Sequence, residues 1–175
     1  QNIGPNRAFI EVADICELNL GRTLDLITAP FRVFQNLETD EQVDGFFETV
    51  HQHLAPGGNC VLNVFQPFAD ETTIRQRWAA HAEDSKSWEQ AVGVGRVVGY
   101  DRISRVHEHK LICYPTLTYR YFEGNELKEE AALNIAMRCY YPAEFEALIT
   151  DHGFRVLNKW GGYNGEIYGS SPELV

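Results

Sequence analysis

Basic residues are scarce in this chain. Lys and Arg number 15 against 25 Asp and Glu, a formal charge of −10 over 175 residues, and the basic residues are scattered without a run. Phosphate contacts need clustered Lys and Arg, so a nucleic-acid backbone is not the expected partner. Long apolar runs are missing too, and no stretch approaches the roughly 20 residues that cross a bilayer. The opening QNIGPNRAFIEV lacks the basic-then-apolar order of a secretory signal. The four cysteines, Cys16, Cys60, Cys113 and Cys139, contain no C-x-x-C pair. Cys60 and Cys113 sit inside strand-like runs, so buried free thiols are expected rather than disulfides. The expectation is a soluble, cytoplasmic protein. G-x-S-x-G, P-loop and H-E-x-x-H motifs are absent, and no repeat period is visible. His51-x-His53 falls on a helix, where i and i+2 do not face each other. His107 and His109 straddle a predicted turn. No metal site is expected.

What is present begins at Asp25. The segment DLITAPFRVFQNL reads as a strand and a polar loop, TDEQVDGFFETVHQHL as an amphipathic helix, and APGGNCVLNVFQP as a turn and a second strand. Such a unit predicts adjacent parallel strands, Leu24–Pro30 and Asn59–Phe65. Thr39 with Gln42 predicts a capping box. Val43, Phe46, Phe47, Val50 and Leu54 predict one apolar helix stripe, and Pro56-Gly57-Gly58 its stop. A short strand, Arg7–Ala13, precedes this unit. After Pro67, Asp70–His81 reads as a helix and Glu83–Glu89 as a polar, mobile stretch. From Gly95 the period switches to two. Arg96–His107, Lys110–Phe122 and Leu127–Arg138 predict an antiparallel meander with turns at Glu108-His109 and Glu123-Gly124-Asn125. Pro142-Ala143-Glu144 opens another helix with Phe145, Leu148 and Ile149 inward, and His152-Gly153 closes it. Phe154–Trp160 reads as a strand, and the closing Ser-Pro-Glu-Leu-Val as the start of one more. The 44% hydrophobic and 12% aromatic content suits one packed domain. Residues 1–67 and 142–175 are expected to form its α/β core, and 68–141 a helix plus an antiparallel insertion.

In α/β sheets of this type ligands sit beyond the carboxyl ends of the strands, which directs attention to Ala29-Pro30-Phe31-Arg32. Arg138, Tyr140 and Tyr141 fall where the meander rejoins the core. There an arginine can clamp a carboxylate and tyrosines can wall a pocket, although packing and surface ion pairing are equally ordinary roles. Tyr163, Asn164, Glu166 and Tyr168 stand among glycines, either as pocket lining or as a surface turn.

Five motifs, in this order, resemble the class I S-adenosylmethionine (SAM)-dependent methyltransferases. They are Ala13-Asp14-Ile15, Leu-Asp-Leu-Ile-Thr-Ala-Pro-Phe ending at Phe31, His-Leu-Ala-Pro-Gly-Gly ending at Gly58, Arg-x-Tyr-Tyr-Pro-x-Glu-Phe starting at Arg138, and His152-Gly153-Phe154. The resemblance implies a Rossmann-like sheet of order 3-2-1-4-5-7-6 with helices on both faces, represented here by strands 3, 4, 5, 6 and the start of 7. It implies SAM as cofactor, with Asp14 accepting from the adenine amine, Ile15 packing on adenine, and Ala29, Pro30 and Phe31 beside the methionine part. Arg32, Arg138, Tyr140, Tyr141 and Tyr163 then border the substrate pocket, and the meander caps it. The family's glycine-rich turn after the first strand, and the acidic residue after the second, have no counterpart here. The chain is therefore expected to be a fragment. The resemblance places two strands between Arg7–Ala13 and Leu24–Pro30. Without them, either Arg7–Ala13 pairs directly with Leu24–Pro30, or the free edge draws copies together as a homo-oligomer.

Two functions remain open at this point. One is methyl transfer from SAM to N, O or C of a small molecule, with no residue assigned as the base. The other is a methyltransferase-like remnant that associates with a partner and no longer holds cofactor. An unrelated α+β binding domain is a third, weaker alternative.

Overall fold

A computed structural model describes residues 10–175, in two units. One unit takes in the chain up to Ile27 together with Thr39–Cys60, and the other holds Thr28–Glu38 and Val61–Val175. The chain passes between them within its first two strands, β1 (Leu24–Ala29) and β2 (Leu54–Leu62), which are hydrogen-bonded neighbours joined through helix α1 (Asp40–His53). Their contacts advance together. The Asp25 carbonyl lies 3.0 Å from where a Gly58 Cβ would stand, and Ala29 O accepts from Asn63 N–H at 3.1 Å. Both indices rise, so the strands run parallel, as the helical crossover requires.

The first unit is organised around α1. Thr39 Oγ1 accepts from the Gln42 N–H at 3.2 Å and Gln42 Oε1 accepts from the Thr39 N–H at 3.1 Å, the predicted reciprocal cap. Val43, Phe46, Phe47 and Val50 are buried. Leu54 does not extend this stripe. It turns extended, at φ −80° and ψ 125°, so the helix stops at His53, ahead of Pro56-Gly57-Gly58. A helical Pro56 would clash with the carbonyl one turn back, which ends the helix before the proline is reached. His53 fastens the preceding loop: its Nδ1–H donates to Thr49 O at 2.7 Å and its Nε2 accepts from the Leu20 N–H at 2.8 Å.

The second unit contains a 3-10 turn (Val33–Asn36), β3 (Val64–Phe65), α2 (Glu71–Ala79), β4 (Ser85–Val92), β5 (Gly95–Val106), β6 (Ile112–Glu123), β7 (Glu126–Asn134), β8 (Met137–Arg138), α3 (Pro142–Asp151) and β9 (Glu173–Leu174). β4, β5, β6 and β7 form the antiparallel meander. β9 pairs antiparallel with β3, Val64 opposite Leu174, and Trp160 and Val175 exchange backbone hydrogen bonds of 2.9 and 3.0 Å. Phe34, Tyr140 and Phe145 close the core with ring centroids 5.4 to 5.8 Å apart.

Several expectations need correction. Of the predicted strand Arg7–Ala13, residues 7–9 lie outside the described residues. Residues 10–13 are not a strand, and Ile10 and Val12 are exposed. Among the described residues the predicted pairing with β1 is not formed, and two apolar side chains without a neighbouring ladder do not hold an extended strand. The Glu83–Glu89 stretch enters β4 at Ser85, because Trp88 pairs opposite Gly99 and lies over it, so packing overrides the polar composition. Leu127–Arg138 is two strands in one register, interrupted opposite Pro115, which has no N–H to give the ladder. Phe154–Trp160 carries strand-like alternation, yet it is not a strand: the Phe154 N–H turns back to Ile149 O at 3.1 Å at the end of α3, and Trp160 exchanges its bonds with Val175.

Candidate active site

β1 ends at Ala29, which is buried, and the chain then makes a turn that few residues tolerate. Phe31 and Arg32 both have positive φ, 53° and 63°. For side chains of this size each such residue costs on the order of 1–3 kcal/mol and persists only where its surroundings insist. The surroundings are explicit. The Phe31 N–H donates to Tyr163 Oη at 2.8 Å. The Arg32 N–H donates to Asn63 Oδ1 at 3.0 Å. Gln35 N–H returns to Arg32 O at 2.9 Å, starting the 3-10 turn.

Side chains from β3, from β9 and from Asn63, between β2 and β3, lock this turn. The Arg32 guanidinium forms an ion pair with Glu173 on β9 and lies 5.4 Å from the Phe65 ring centre. Asn63 Nδ2 donates to Glu173 Oε2 at 2.9 Å and to Leu174 O at 3.3 Å. The hydrogen bond from Arg32 holds the Glu173 carboxyl below its usual range. Gln35, fully buried, donates from Nε2 to Arg138 O at 2.7 Å and accepts from the Phe65 N–H at 2.6 Å. Gln66 donates to Ser171 O and Glu173 O at 2.8 and 3.1 Å. These buried amides span elements whose backbone groups would otherwise lie unpaired, the costly case for a buried polar atom.

The result is an aromatic pair on a rigid support. Phe31 is 84% exposed, its ring centre 5.8 Å from that of Tyr163. A large aromatic side chain is thus held outward from a strained turn where β1 ends, the end of the strands at which α/β sheets of this type bind ligands.

The other residues singled out from sequence are distributed unevenly. Arg32, Phe31 and Tyr163 are brought together. Tyr140 is 1% exposed, inside the aromatic core, with the Arg138 guanidinium 5.0 Å from its ring. Tyr141 donates from Oη to Ala69 O at 2.9 Å, and burial raises its phenol above the ordinary value. Glu166 accepts from the Asn164 backbone N–H at 2.8 Å and its side-chain amide at 3.0 Å, forming the turn that carries Tyr163. In the first unit, Asp14 is exposed and its Oδ1 accepts from the Cys16 N–H at 2.8 Å, while Ile15 is half-buried. Asn63, Gln35, Gln66 and Glu173 were not anticipated. An Asn inside a predicted apolar strand, L-N-V-F, was the available signal, because a buried amide there needs partners.

No family model matches the chain. Over 158 residues it is 23% identical to the dTDP-3-amino-3,4,6-trideoxy-alpha-D-glucopyranose N,N-dimethyltransferase of Streptomyces venezuelae, covering 90% of this chain and 62% of that one. Its structure is similar to that of a SAM-dependent methyltransferase from Clostridium acetobutylicum, with TM-score 0.68, 16% identity, and coverage of 94% of this chain and 61% of the other. It also resembles DesVI of Streptomyces venezuelae, with TM-score 0.62, 21% identity and coverage of 88% and 60%. A third likeness is to a SAM-bound amino pentose methyltransferase from Micromonospora echinaspora, with TM-score 0.62, 18% identity and coverage of 93% and 61%. The chain thus spans about three-fifths of the length of these proteins. The braced turn after a parallel strand, the antiparallel β3–β9 pair and these likenesses together give the chain the fold of the class I SAM-dependent methyltransferases.

Proposed function

We propose that this chain is part of an enzyme that moves a methyl group from SAM to an amine of a small, sugar-like molecule. The observation that carries the reading is the turn after β1, where two non-glycine residues are held at positive φ to present Phe31 and Tyr163. The residues fit the sulfonium end of the cofactor: an exposed aromatic face attracts a cationic sulfur and its methyl groups, and Ala29 beside it is small. Bound there, SAM would supply an electrophilic methyl group. The chain's own part is to orient and to exclude water, since in-line displacement gains chiefly from positioning and desolvation. Ala29, Pro30 and Phe31 hold the methionine end, and Tyr163, Tyr141 and Arg138 border the acceptor, with Tyr140 supporting them from the core. Arg32 serves through its pair with Glu173, keeping the turn in place. Asp14 and Ile15 lie in the first unit and take no part in this reading. Residues 68–141 cap the acceptor side.

The amine preference comes from the named relatives, an amino-sugar N,N-dimethyltransferase and an amino pentose methyltransferase. The proposal includes a cytoplasmic location and self-association. Among the described residues no helix is long and apolar enough to cross a membrane. Leu26, exposed in the middle of β1, belongs to the edge where association was expected from sequence. Calorimetric titration of SAM into the folded chain tests the cofactor assignment. Micromolar binding that Phe31→Ala weakens at least tenfold supports it. Absence of heat with a folded protein removes it and leaves the remnant reading.

A further inference from the structure

The glycine-rich turn that carries Tyr163 holds chemistry that its supporting role does not use. Of the asparagines in the chain, Asn164 alone is followed by glycine. Such a step invites attack within the chain, because a glycine peptide nitrogen has no neighbouring side chain to keep it from the amide carbon before it. Asn164 and Gly165 are both exposed. Gly165 takes φ of 77°, and nothing lies within 4 Å of where its Cβ would stand. Neither packing nor a side chain fences off its peptide nitrogen.

One carboxylate closes the same turn. Glu166 accepts from the Asn164 backbone N–H at 2.8 Å and from its Nδ2 at 3.0 Å. The carboxylate folds over Gly162, with Oε2 2.6 Å from where a Cβ would stand. The Glu166 carbonyl also accepts from the Gly161 N–H at 2.7 Å. Its own backbone N–H and the two Asn164 donors hold the Glu166 carboxyl below its usual range, so it is fully charged at neutral pH. The turn delivers Tyr163 Oη to the Phe31 N–H, 132 positions away.

We propose that Asn164 is a site of spontaneous deamidation, and that its product loosens the brace on the turn after β1. The Gly165 peptide nitrogen attacks Asn164 Cγ and closes a five-membered imide. The bond from Cγ to Nδ2 breaks, and Nδ2 leaves as ammonia with the proton that Gly165 gives up. Water then opens the ring. Breaking the new bond to Gly165 gives aspartate, and breaking the original peptide bond gives isoaspartate. Nothing is oxidised or reduced, and water is the sole co-reactant. Either product puts an acceptor of negative charge where Glu166 now finds a donor at 3.0 Å, and like charges at that separation repel. Isoaspartate also lengthens the backbone by one carbon directly after Tyr163. The inference stands independently of the methyl-transfer reading.

Incubation of the folded chain at mildly alkaline pH, followed by mass spectrometry of the peptide 160–175, tests it. The peptide is expected to gain one mass unit, to resolve into aspartate and isoaspartate forms, and to release ammonia in equal amount. Asn164→Gln, whose longer side chain would have to close a six-membered ring, is expected to slow the gain at least tenfold. In the modified protein, and in Asn164→Asp, the Phe31 amide is expected to exchange hydrogen at least tenfold faster, while the Val98 amide in the meander keeps its rate. The proposal is overturned by a folded chain that keeps its mass while the urea-unfolded chain gains it. It is equally overturned by a gain that persists in Asn164→Gln, or by Phe31 exchange that is unchanged after modification.

Discussion

The turn after β1 and the hairpin turns of the meander ask the backbone for the same left-handed conformation and obtain it differently. In the meander, Gly93 and Gly124 take φ of 58° with open space around them, so the residue type alone permits the turn. After β1 the same region of φ is taken by Phe31 and Arg32, and the conformation is enforced by Tyr163, Asn63 and Glu173. The first kind of turn is a local property that joins strands. The second stores strain and is the kind found where a side chain must be presented to a ligand.

The contrast is broken most severely by removing the brace. Asn63→Leu leaves the Arg32 N–H and part of the Glu173 carboxylate without their partner, and should lower unfolding stability by about 2–4 kcal/mol in urea titration. A loss below about 0.5 kcal/mol would mean the turn holds itself. A matched pair of substitutions then separates imposed from local strain. Phe31→Gly should stabilise by roughly 0.5–1.5 kcal/mol as strain is released, while Gly124→Ala should destabilise by about 1 kcal/mol with nothing but φ to blame. Equal signs in thermal melts would erase the distinction. Thr39→Ala, at a cap that depends on adjacent sequence only, should cost about 1 kcal/mol, and calorimetric melting checks it.

The smallest effect is on pH dependence. The folded state lowers the Glu173 carboxyl from its ordinary 4.5, so its contribution is complete above that value. The contribution is lost as pH falls through the lowered one, because protonation then opposes the native ion pair. Glu173→Gln should flatten the acid side of the stability profile, which acid titration followed by fluorescence would show.

How far the chain could be read in advance followed the reach of each interaction. The capping box at Thr39, the buried stripe of α1, the meander hairpins and the proline-opened α3 all depend on neighbours a few residues away, and each appears where the pattern put it. The parallel pairing of β1 with β2 was legible too, because a helical crossover between two apolar strands allows little else. β4 was missed because its reason is Gly99, eleven positions beyond Trp88 in the chain and opposite it in the sheet. Phe154–Trp160 was over-read because alternation reports a preference and not a neighbour. At the site, Phe31, Arg32 and Tyr163 were singled out, but their brace was not: Arg32 and Glu173 are 141 positions apart, and Asn63 and Glu173 are 110.

The amino-acid order by itself settled which segments become helix, crossover and hairpin, and through its motifs the methyltransferase-like fold, since these follow from periodicity, caps and turn residues acting over short distances. Only the tertiary structure decided that Phe31 and Arg32 take a conformation their own chemistry disfavours, and that Tyr163, far along the chain, braces it. Both depend on buried amides, an ion pair and strand registers that exist only once distant parts of the chain have met.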